Sequence, residues 1–403
     1  MPSLAEPLIL RSSSTLPNRF AKAAMSETLG DASGAPTTDL VRLYERWGRS
    51  GAGLLITGNV MVDPGGRGEP RNVVIVDDRH LAKLRAWASA AQAHGAQLWM
   101  QLNHAGRQSP RKLAPTPVAP SAVAMKGFLG MFGAPRALAV PEIEGLIARF
   151  ATAARVARDA GFAGVQLHAA HGYLISQFLS ARTNRRTDAW GGDAVRRSRF
   201  LIEIVRAVRA AVGPAFPIGV KLNSADFQRG GFTIEEAMDV ARALDAEGID
   251  LLEVSGGNYE SPAMTGSGEL LANQRQSSRD REAYFLDYAK RIRAVVAMPI
   301  MLTGGMRSRA VMEAALASGA VDVIGLGRPM THTPDLPARL LEGSLATAPT
   351  VKIRSRIRVL DDALQTLWFQ TQIHRLAKGR EPDRELGMWP VVWRGLRAFG
   401  APA

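Results

Sequence analysis

One stretch of this chain joins a buried strand directly to a group of polar side chains: Val165-Gln-Leu-His-Ala-Ala-His-Gly-Tyr-Leu-Ile-Ser-Gln-Phe-Leu-Ser180. It begins in a short apolar run that opens at Gly164, which is typical of a strand inside a parallel sheet. The run ends at His168, and His171 and Tyr173 follow closely. Because the whole chain holds only 7 His and 5 Tyr, this concentration indicates a functional site.

The chemistry of these three side chains predicts acid catalysis. A neutral imidazole donates a hydrogen bond that can hold a carbonyl or anionic oxygen, and a phenol keeps its proton at neutral pH. Two oxygen-binding groups beside one proton donor, at the end of a strand, are typical of an acid-catalysis site. The alternative is that both His are buried structural residues that cap a helix.

The quoted stretch is the fourth of eight segments that share one order: a short apolar strand, a polar or glycine-rich junction and a longer helical pattern. Eight β–α units in a row predict an α/β fold, namely a (β/α)8 TIM barrel with a C-terminal helical extension. An open doubly wound sheet is the alternative, although no GxGxxG stands at a strand–helix junction. The other seven strands are predicted at 19–24, 53–57, 97–102, 218–222, 251–254, 300–302 and 321–325.

The regions outside the repeats suggest how the chain is organised. We expect residues 1–345 to form the barrel, with 1–17 as a lid or a short hairpin. Residues 346–403 are basic and carry an amphipathic helical pattern. This pattern favours packing on one side of the barrel over contact with a membrane or a partner subunit, and homo-oligomer formation is left open.

Composition restricts the function further. The chain is 46% hydrophobic and 22% charged, as in globular proteins, and no apolar run reaches the ~20 residues that span a membrane. The N-terminus has no signal-peptide pattern, so we expect a cytoplasmic protein. With no Cys, disulfides and thiolate metal sites are excluded, and no metal site is expected. The net charge of +13 is spread over helix faces, so we expect a phosphorylated ligand or cofactor and no nucleic acid.

The last two strand ends are the predicted phosphate site. Thr303-Gly304-Gly305 follows the seventh strand, and Gly327-Arg328 follows the eighth. Glycines let the backbone N–H groups approach a phosphate, and an arginine adds a charge. Tight turns without a ligand are the alternative.

Two further strand residues match the edge of a flavin. Gln101 lies near the end of the third strand and Lys221 on the fifth, and strand alternation would aim both into the barrel mouth. An amide opposed by a cation suits the pyrimidine edge of an isoalloxazine ring. Each residue alone is a weak signal, since barrel cores often bury one Gln or Lys.

Taken together, the motifs resemble the Old Yellow Enzyme family of FMN-dependent ene-reductases (NADH:flavin oxidoreductases). The resemblance runs from about residue 18 to residue 340. The motifs that carry it are Asn18-Arg-Phe with Met25, Gln101-Leu-Asn-His-Ala-Gly-Arg107, His168-Ala-Ala-His-Gly-Tyr173, Arg185 to Gly192, Gly256-Gly257 with Thr303-Gly-Gly, and Gly327-Arg-Pro.

The resemblance implies a set of roles at the barrel mouth. Non-covalent FMN would lie across the mouth, and NAD(P)H would supply the hydride for reduction of an alkene conjugated to a carbonyl or nitro group. His168, also close to the flavin, and His171 would hold the substrate oxygen, with Tyr173 as the proton donor. The implied flavin contacts are Ala24, Met25 and Ser26 on the dimethylbenzene and N5 side, Gly58 or Asn59 and Gln101 on the pyrimidine side, Lys221 at N1 and O2, and Gly304, Gly305, Gly327 and Arg328 at the phosphate.

Some positions depart from the family pattern. Ala24 replaces the common Pro, Ser26 a Thr or Cys that tunes the flavin, and Lys221 the commoner Arg, which loses the bidentate fork. The loop at 121–139 carries Met125, Phe128, Met131 and Phe132 and is predicted to cover the substrate pocket. The larger relatives in the family carry a Cys-bound iron–sulfur cluster and a second nucleotide-binding domain, and we expect neither in this chain, which has no Cys.

Three other functions stay open at this point. The same FMN could oxidise a substrate, as an amine demethylase or dehydrogenase does. A phosphate-binding barrel lyase or isomerase would use Gln101 and Lys221 as substrate ligands without flavin. A non-enzymatic binding module acting through the basic tail would leave the His168, His171 and Tyr173 cluster unexplained.

Overall fold

The architecture is a closed barrel of parallel strands. The computed structural model describes residues 2–126, 130–257, 260, 282–283, 285–351 and 358–393. Each barrel strand pairs in parallel with the next, and the last pairs with the first through Ile324 and Phe20. The predicted TIM barrel is therefore confirmed. Its strands are β1 (Phe20–Lys22), β2 (Leu54–Ile56), β3 (Gln97–Asn103), β4 (Gly164–Ala169), β5 (Ile218–Asn223), β6 (Leu251–Ser255), β7 (Ile300–Thr303) and β8 (Val323–Leu326).

Helices surround the barrel and begin where the sequence provides a cap. In α1 the Thr37 side chain accepts from the Leu40 N–H, and in α6 Thr233 and Glu236 form a capping box. The helices around the barrel are α1 (Thr38–Gly48), α2 (Leu81–Gln92), α3 (Val140–Asp159), α4 (Leu174–Leu179), α5 (Ala194–Val212), α6 (Ile234–Ala246), α7 (Leu286–Arg293), α8 (Arg309–Ala317), α9 (Pro329–His332) and α10 (Leu336–Glu342).

Short elements decorate the loops at the carboxyl-terminal end of the barrel. Two short strands, Val60–Met61 and Val73–Val74, extend the sheet beyond β3, and Val118–Ala119 pairs with Arg136–Ala137. The 3₁₀ turns are Pro64–Gly66 and Gly106–Gln108.

The inside of the barrel is filled in layers. Trp99 of β3 is fully buried in an interior cluster with Leu251 of β6. A Cβ atom added to Gly164 would lie 2.7 Å from the Trp99 ring, and one added to Gly219 would lie 2.9 Å from it. Because side chains alternate along a strand, the inward-facing residues two positions nearer the mouth form the next layer. That next layer is polar.

The N-terminal segment closes the opposite end of the barrel. Strands Leu8–Ile9 and Thr15–Leu16 form an antiparallel pair, and Leu16 is buried in the interior cluster. The Ser12 N–H donates to the Asp250 carboxylate at 2.7 Å, just before β6 begins. The predicted hairpin is confirmed. The alternative of a lid is wrong, because the hairpin packs its apolar side chains against the floor of the barrel.

The C-terminal extension contains the helix α11 (Arg358–Ala377). It buries Trp368, Ile373 and Leu376, and Arg42 of α1 donates to the Ala377 carbonyl at 2.9 Å. The extension therefore packs against the barrel, whereas the boundary at residue 345 stays a prediction. Within the described residues, no helix combines the length and the apolar character that crossing a membrane requires.

Candidate active site

The three side chains singled out in the sequence meet at the mouth of the barrel. Strand β4 ends at Ala169, and α4 begins directly after Tyr173, which occupies its N-cap position. The His168 ring centroid lies 5.0 Å from that of His171 and 4.9 Å from that of Tyr173, each pair edge to face. His168 and Tyr173 are buried and His171 is half-buried. The arrangement can place two imidazoles and one phenol around a single small molecule.

The backbone of His171 is strained and is held by neighbouring strands. Its φ is 60°, a left-handed conformation that is uncommon outside glycine. The Asn223 side-chain oxygen accepts from the His171 N–H at 3.1 Å, and the Ser255 hydroxyl lies 2.8 Å from His171 Nε2. The ends of β5 and β6 thus fix both the main chain and the ring of His171.

The two imidazoles are held in their neutral form. Burial lowers the pKa of His168 well below its usual value, and the neighbouring His171 and Lys221 lower it further. The pKa of His171 is lowered in the same way by burial and by Lys221. The Ala170 N–H donates to His168 Nδ1 at 3.2 Å, so the proton of neutral His168 is on Nε2. His168 Nε2 is therefore a hydrogen-bond donor.

Below the mouth, four buried polar side chains form a continuous chain inside the barrel. Gln101 Nε2 donates to Gln166 Oε1 at 2.7 Å, and Gln166 Nε2 donates to Glu253 Oε2 at 2.8 Å. Lys221 Nζ lies 2.9 Å from Glu253 Oε1. Gln101 and Lys221, which the sequence predicted, thus belong to a larger group that we call the polar layer: Gln101, Gln166, Lys221 and Glu253.

The segment after β1 lies against a second buried charge cluster. The Gly58 N–H donates to Glu27 Oε1 at 2.7 Å, and a Cβ added to Gly58 would lie 2.1 Å from the Glu27 carboxylate. Gly58 therefore admits Glu27, while Asn59 accepts a hydrogen bond from Asn103 at 2.9 Å. Lys22, on the outer face of β1, donates to the Ile56 carbonyl at 2.7 Å, and burial lowers the pKa of Lys22 to about 8.

Ser26 is hydrogen-bonded to Glu69, a carboxyl group whose pKa is raised. Its hydroxyl forms a hydrogen bond with Glu69. Burial raises the pKa of Glu69 to about 7, and the nearby Glu27 raises it further. Gln370 of α11 also donates to Glu69, at 3.4 Å. The C-terminal extension therefore reaches the loop that follows β2, next to Ser26.

The ends of β7 and β8 have the form of an anion cradle. Gly304 has φ 142° and Gly305 has φ 74°, both in the region that favours glycine. A Cβ added to Gly327 would meet only the Met25 sulfur, at 4.0 Å, so the Gly327 backbone borders open space. Arg328 approaches α11, with its guanidinium 5.8 Å from the Phe369 ring centroid.

The loop predicted as a lid is anchored at its base. Arg107 donates to the Val123 carbonyl at 3.3 Å and forms an ion pair with Glu260 at 2.5 Å. Met131 is exposed, whereas Phe128 lies outside the described residues. Covering a substrate pocket stays a prediction for this loop.

Sequence reasoning missed the residues that hold the predicted ones in place. Gln166 and Glu253 lie on correctly predicted strands, but each is a single polar residue within an apolar run, and Ser255 directly follows the predicted sixth strand. Strand alternation could have predicted that these side chains face inward. The sequence could not show which residues on other strands they contact, because the register between strands is set by the tertiary fold.

The fold is a (β/α)8 barrel with a polar cluster and a glycine-rich segment at its carboxyl-terminal end, where enzymes of this fold have their active sites. The model of the NADH:flavin oxidoreductase / NADH oxidase family matches residues 3–346. The chain belongs to this family.

Individual relatives agree with that membership. The chain is 38% identical over 361 residues to an NADH-dependent flavin oxidoreductase, iliE, of Hypocrea jecorina (strain QM6a), covering 83% of this chain and 88% of that protein. It is 37% identical over 329 residues to an NADH oxidase of Thermoanaerobacter brockii, covering 81% of this chain and 49% of that protein.

Solved structures show the same architecture. An Old Yellow Enzyme homologue from Zymomonas mobilis superposes with a TM-score of 0.74 at 29% identity, covering 87% of this chain and 95% of that one. Morphinone reductase gives a TM-score of 0.72 at 28% identity, covering 87% of this chain and 92% of that one. The resemblance to Old Yellow Enzymes is confirmed.

The cofactor of this family is FMN, with a nicotinamide as the hydride donor, and the types of residue at the mouth suit this cofactor. Gly304 and Gly305 have positive φ values at the end of β7, and Gly327, at the end of the neighbouring strand β8, borders open space, as a phosphate site requires. The polar layer supplies an amide and a cation for the pyrimidine edge. The predicted contacts at individual residues, from Ala24 to Arg328, stay predictions.

Proposed function

We propose that this protein is an ene-reductase that uses NADH or NADPH to reduce a C=C bond conjugated to a carbonyl or nitro group. The observation that carries the proposal is that His168 lies beside both His171 and Tyr173 at the barrel mouth, with ring centroids 5.0 Å and 4.9 Å away. These are the groups that reduction of such an alkene needs: donors for its oxygen and a proton for its carbon.

The His pair binds the electron-withdrawing oxygen of the substrate. His168 donates from Nε2, since its Nδ1 accepts from the Ala170 N–H. Negative charge develops on the substrate oxygen during reduction, and donors already in place stabilise it without reorganisation. Because the pKa values of both imidazoles are lowered, they act as neutral donors.

Tyr173 protonates the α-carbon of the alkene. Its phenol sits beside His168, so a substrate held by the imidazoles lies within its reach. FMN, when bound, would supply the hydride chemistry between the nicotinamide and the β-carbon. Gln101 and Lys221 would hold its pyrimidine edge, Gly304, Gly305, Gly327 and Arg328 its phosphate, and Ala24, Met25 and Ser26 its other edge.

The Tyr173→Phe variant tests this proposal. It removes only the phenolic proton, so we expect alkene reduction to slow by ~10²–10⁴, the usual range for a positioned general acid. Flavin reduction by NAD(P)H should be nearly unchanged, because that step needs no proton from Tyr173. Anaerobic stopped-flow kinetics with NADPH, NADH and a cyclic enone would measure the two half-reactions separately.

The two half-reactions serve as controls for each other. An equal decrease in the rates of both half-reactions, or no decrease in either rate, would contradict the role of Tyr173. Purified protein that carries no flavin would contradict the proposed function and favour a lyase or isomerase. Flavin that is reduced by amines but not by NAD(P)H would favour a demethylase or dehydrogenase.

A further inference from the structure

Lys221 is not a lone cation. Its ammonium group lies 2.9 Å from Glu253 Oε1, and the two side chains are only 4% and 0% exposed. The residues face each other directly in the register of β5 and β6. In such surroundings an ammonium and a carboxylate attract strongly, because water does not screen them.

The carboxylate of Glu253 is also held from its other side. Gln166 donates to Glu253 Oε2 at 2.8 Å, and Gln101 donates to Gln166 at 2.7 Å. Gln166 lies on β4 and Glu253 on β6. These strands are not neighbours, because β5 lies between them, so the two side chains meet inside the barrel. Glu253 and Gln166 therefore connect Lys221 to Gln101, the cation and the amide that are proposed to hold the pyrimidine edge of the flavin.

We infer that Glu253 is a positioning residue that cancels the charge of Lys221 at the flavin and thereby lowers the preference of the site for reduced FMN. The inference rests on the proposed function, because it needs Lys221 beside the flavin. It concerns Glu253, whose contacts are with Lys221 and Gln166.

The direction of the effect follows from charge. Reduction by a hydride places negative charge on the flavin, so a nearby cation favours the reduced form. The Glu253 carboxylate lies 2.9 Å from the Lys221 ammonium group. A flavin several ångströms away would therefore interact with the dipole of this ion pair and not with a full positive charge. The neutral pair also avoids the cost of burying a single ammonium group inside the barrel.

The Glu253→Gln variant of the holoenzyme tests this inference. It keeps the size of the side chain and an oxygen that can accept from Gln166, but removes the negative charge. We expect reduced FMN to gain about tenfold in affinity over oxidised FMN, which raises the two-electron potential by about 30 mV. Equilibration of the bound flavin with redox dyes would measure the shift.

The matched control removes a buried carboxylate at the other end of the barrel. Asp250 is buried beside Arg209, at 3.3 Å, just before β6 begins. The Asp250→Asn variant should leave the ratio of the two affinities within about twofold of the native value, because charge effects weaken with distance.

A double variant, Lys221→Met with Glu253→Gln, covers the case in which Glu253→Gln does not fold. It buries no charge in the polar layer. If the native pair is neutral, the double variant should keep the affinity ratio within about threefold of native. If Lys221 instead acts as an uncancelled cation, the ratio should fall by about tenfold or more, which would overturn the inference.

The outcomes separate this inference from the proposed function. Native protein that binds no FMN would overturn both. Native protein that binds FMN, with a Glu253→Gln variant whose affinity ratio is unchanged or shifted towards oxidised FMN, would overturn the inference alone.

Discussion

The proposed catalytic cluster, which consists of His168, His171 and Tyr173, and the polar layer beneath it are built in opposite ways. His168, His171 and Tyr173 come from one continuous stretch that ends a strand and starts a helix. The polar layer takes one residue from each of the strands β3, β4, β5 and β6. The comparison teaches that a local cluster can be adjusted by its own loop, whereas a cluster assembled from several strands is coupled to the stability of the barrel.

The largest expected effect comes from removing Lys221, the cation of the polar layer. The Lys221→Met variant leaves the Glu253 carboxylate buried without its partner. We expect the apoprotein to lose about 3–5 kcal/mol of unfolding free energy, as when one member of a buried ion pair is removed. Urea denaturation, followed by circular dichroism, would measure this loss without any contribution from the cofactor.

An exposed ion pair gives the matched control for Lys221→Met. Arg206 pairs with Glu247 at 2.6 Å and is 56% exposed. The Arg206→Met variant should cost at most about 1 kcal/mol. Equal losses in the two variants would mean that the polar layer does not support the barrel.

A smaller effect is expected where a neighbouring strand supports the catalytic cluster. The Ser255→Ala variant removes the hydroxyl beside His171 Nε2 but leaves the His171 backbone bonded to Asn223. We expect KM for an enone to rise about three- to tenfold, equivalent to one hydrogen bond, with little loss of stability. Steady-state kinetics would measure the change in KM.

Ser318, an exposed residue at the end of α8 whose hydroxyl donates to the Ala315 carbonyl, provides the control for Ser255→Ala. The Ser318→Ala variant should leave KM unchanged. A loss of stability in Ser255→Ala as large as that in Lys221→Met would remove the contrast between the two regions.

The smallest expected effect concerns pH. Burial lowers the pKa values of His168 and His171 well below 6.5, so both imidazoles stay neutral as the pH falls through that value. We expect KM for an uncharged enone to change less than about twofold between about pH 6 and 8. A KM that changes sharply near pH 6.5 would show that one imidazole titrates normally.

The same lowered pKa values affect stability in a defined direction. Below about pH 6.5 the unfolded chain binds protons at these two His that the folded protein does not. The free energy of unfolding should therefore fall as the pH drops below 6.5 and should not change on their account above it. The Lys221→Met variant, if stable enough, would lose part of this dependence, since Lys221 contributes to both shifts.

The sequence by itself determined the barrel and the grouping of His168, His171 and Tyr173, because both depend on local order along the chain. Repeated strand–helix units define the fold, and three polar residues after one strand define the cluster at 168–173. The predicted start of β3 at residue 97 also agrees with the structure, since strand alternation acts over a few residues.

Only the tertiary structure decided which residues support those sites. The pairing of Lys221 with Glu253 joins two strands, and the bond from Gln370 to Glu69 brings the extension to the mouth. The N-terminal hairpin closes the floor because the open barrel end accepts its apolar side chains. These contacts join segments far apart in the chain, and the closure and register of the barrel bring them together.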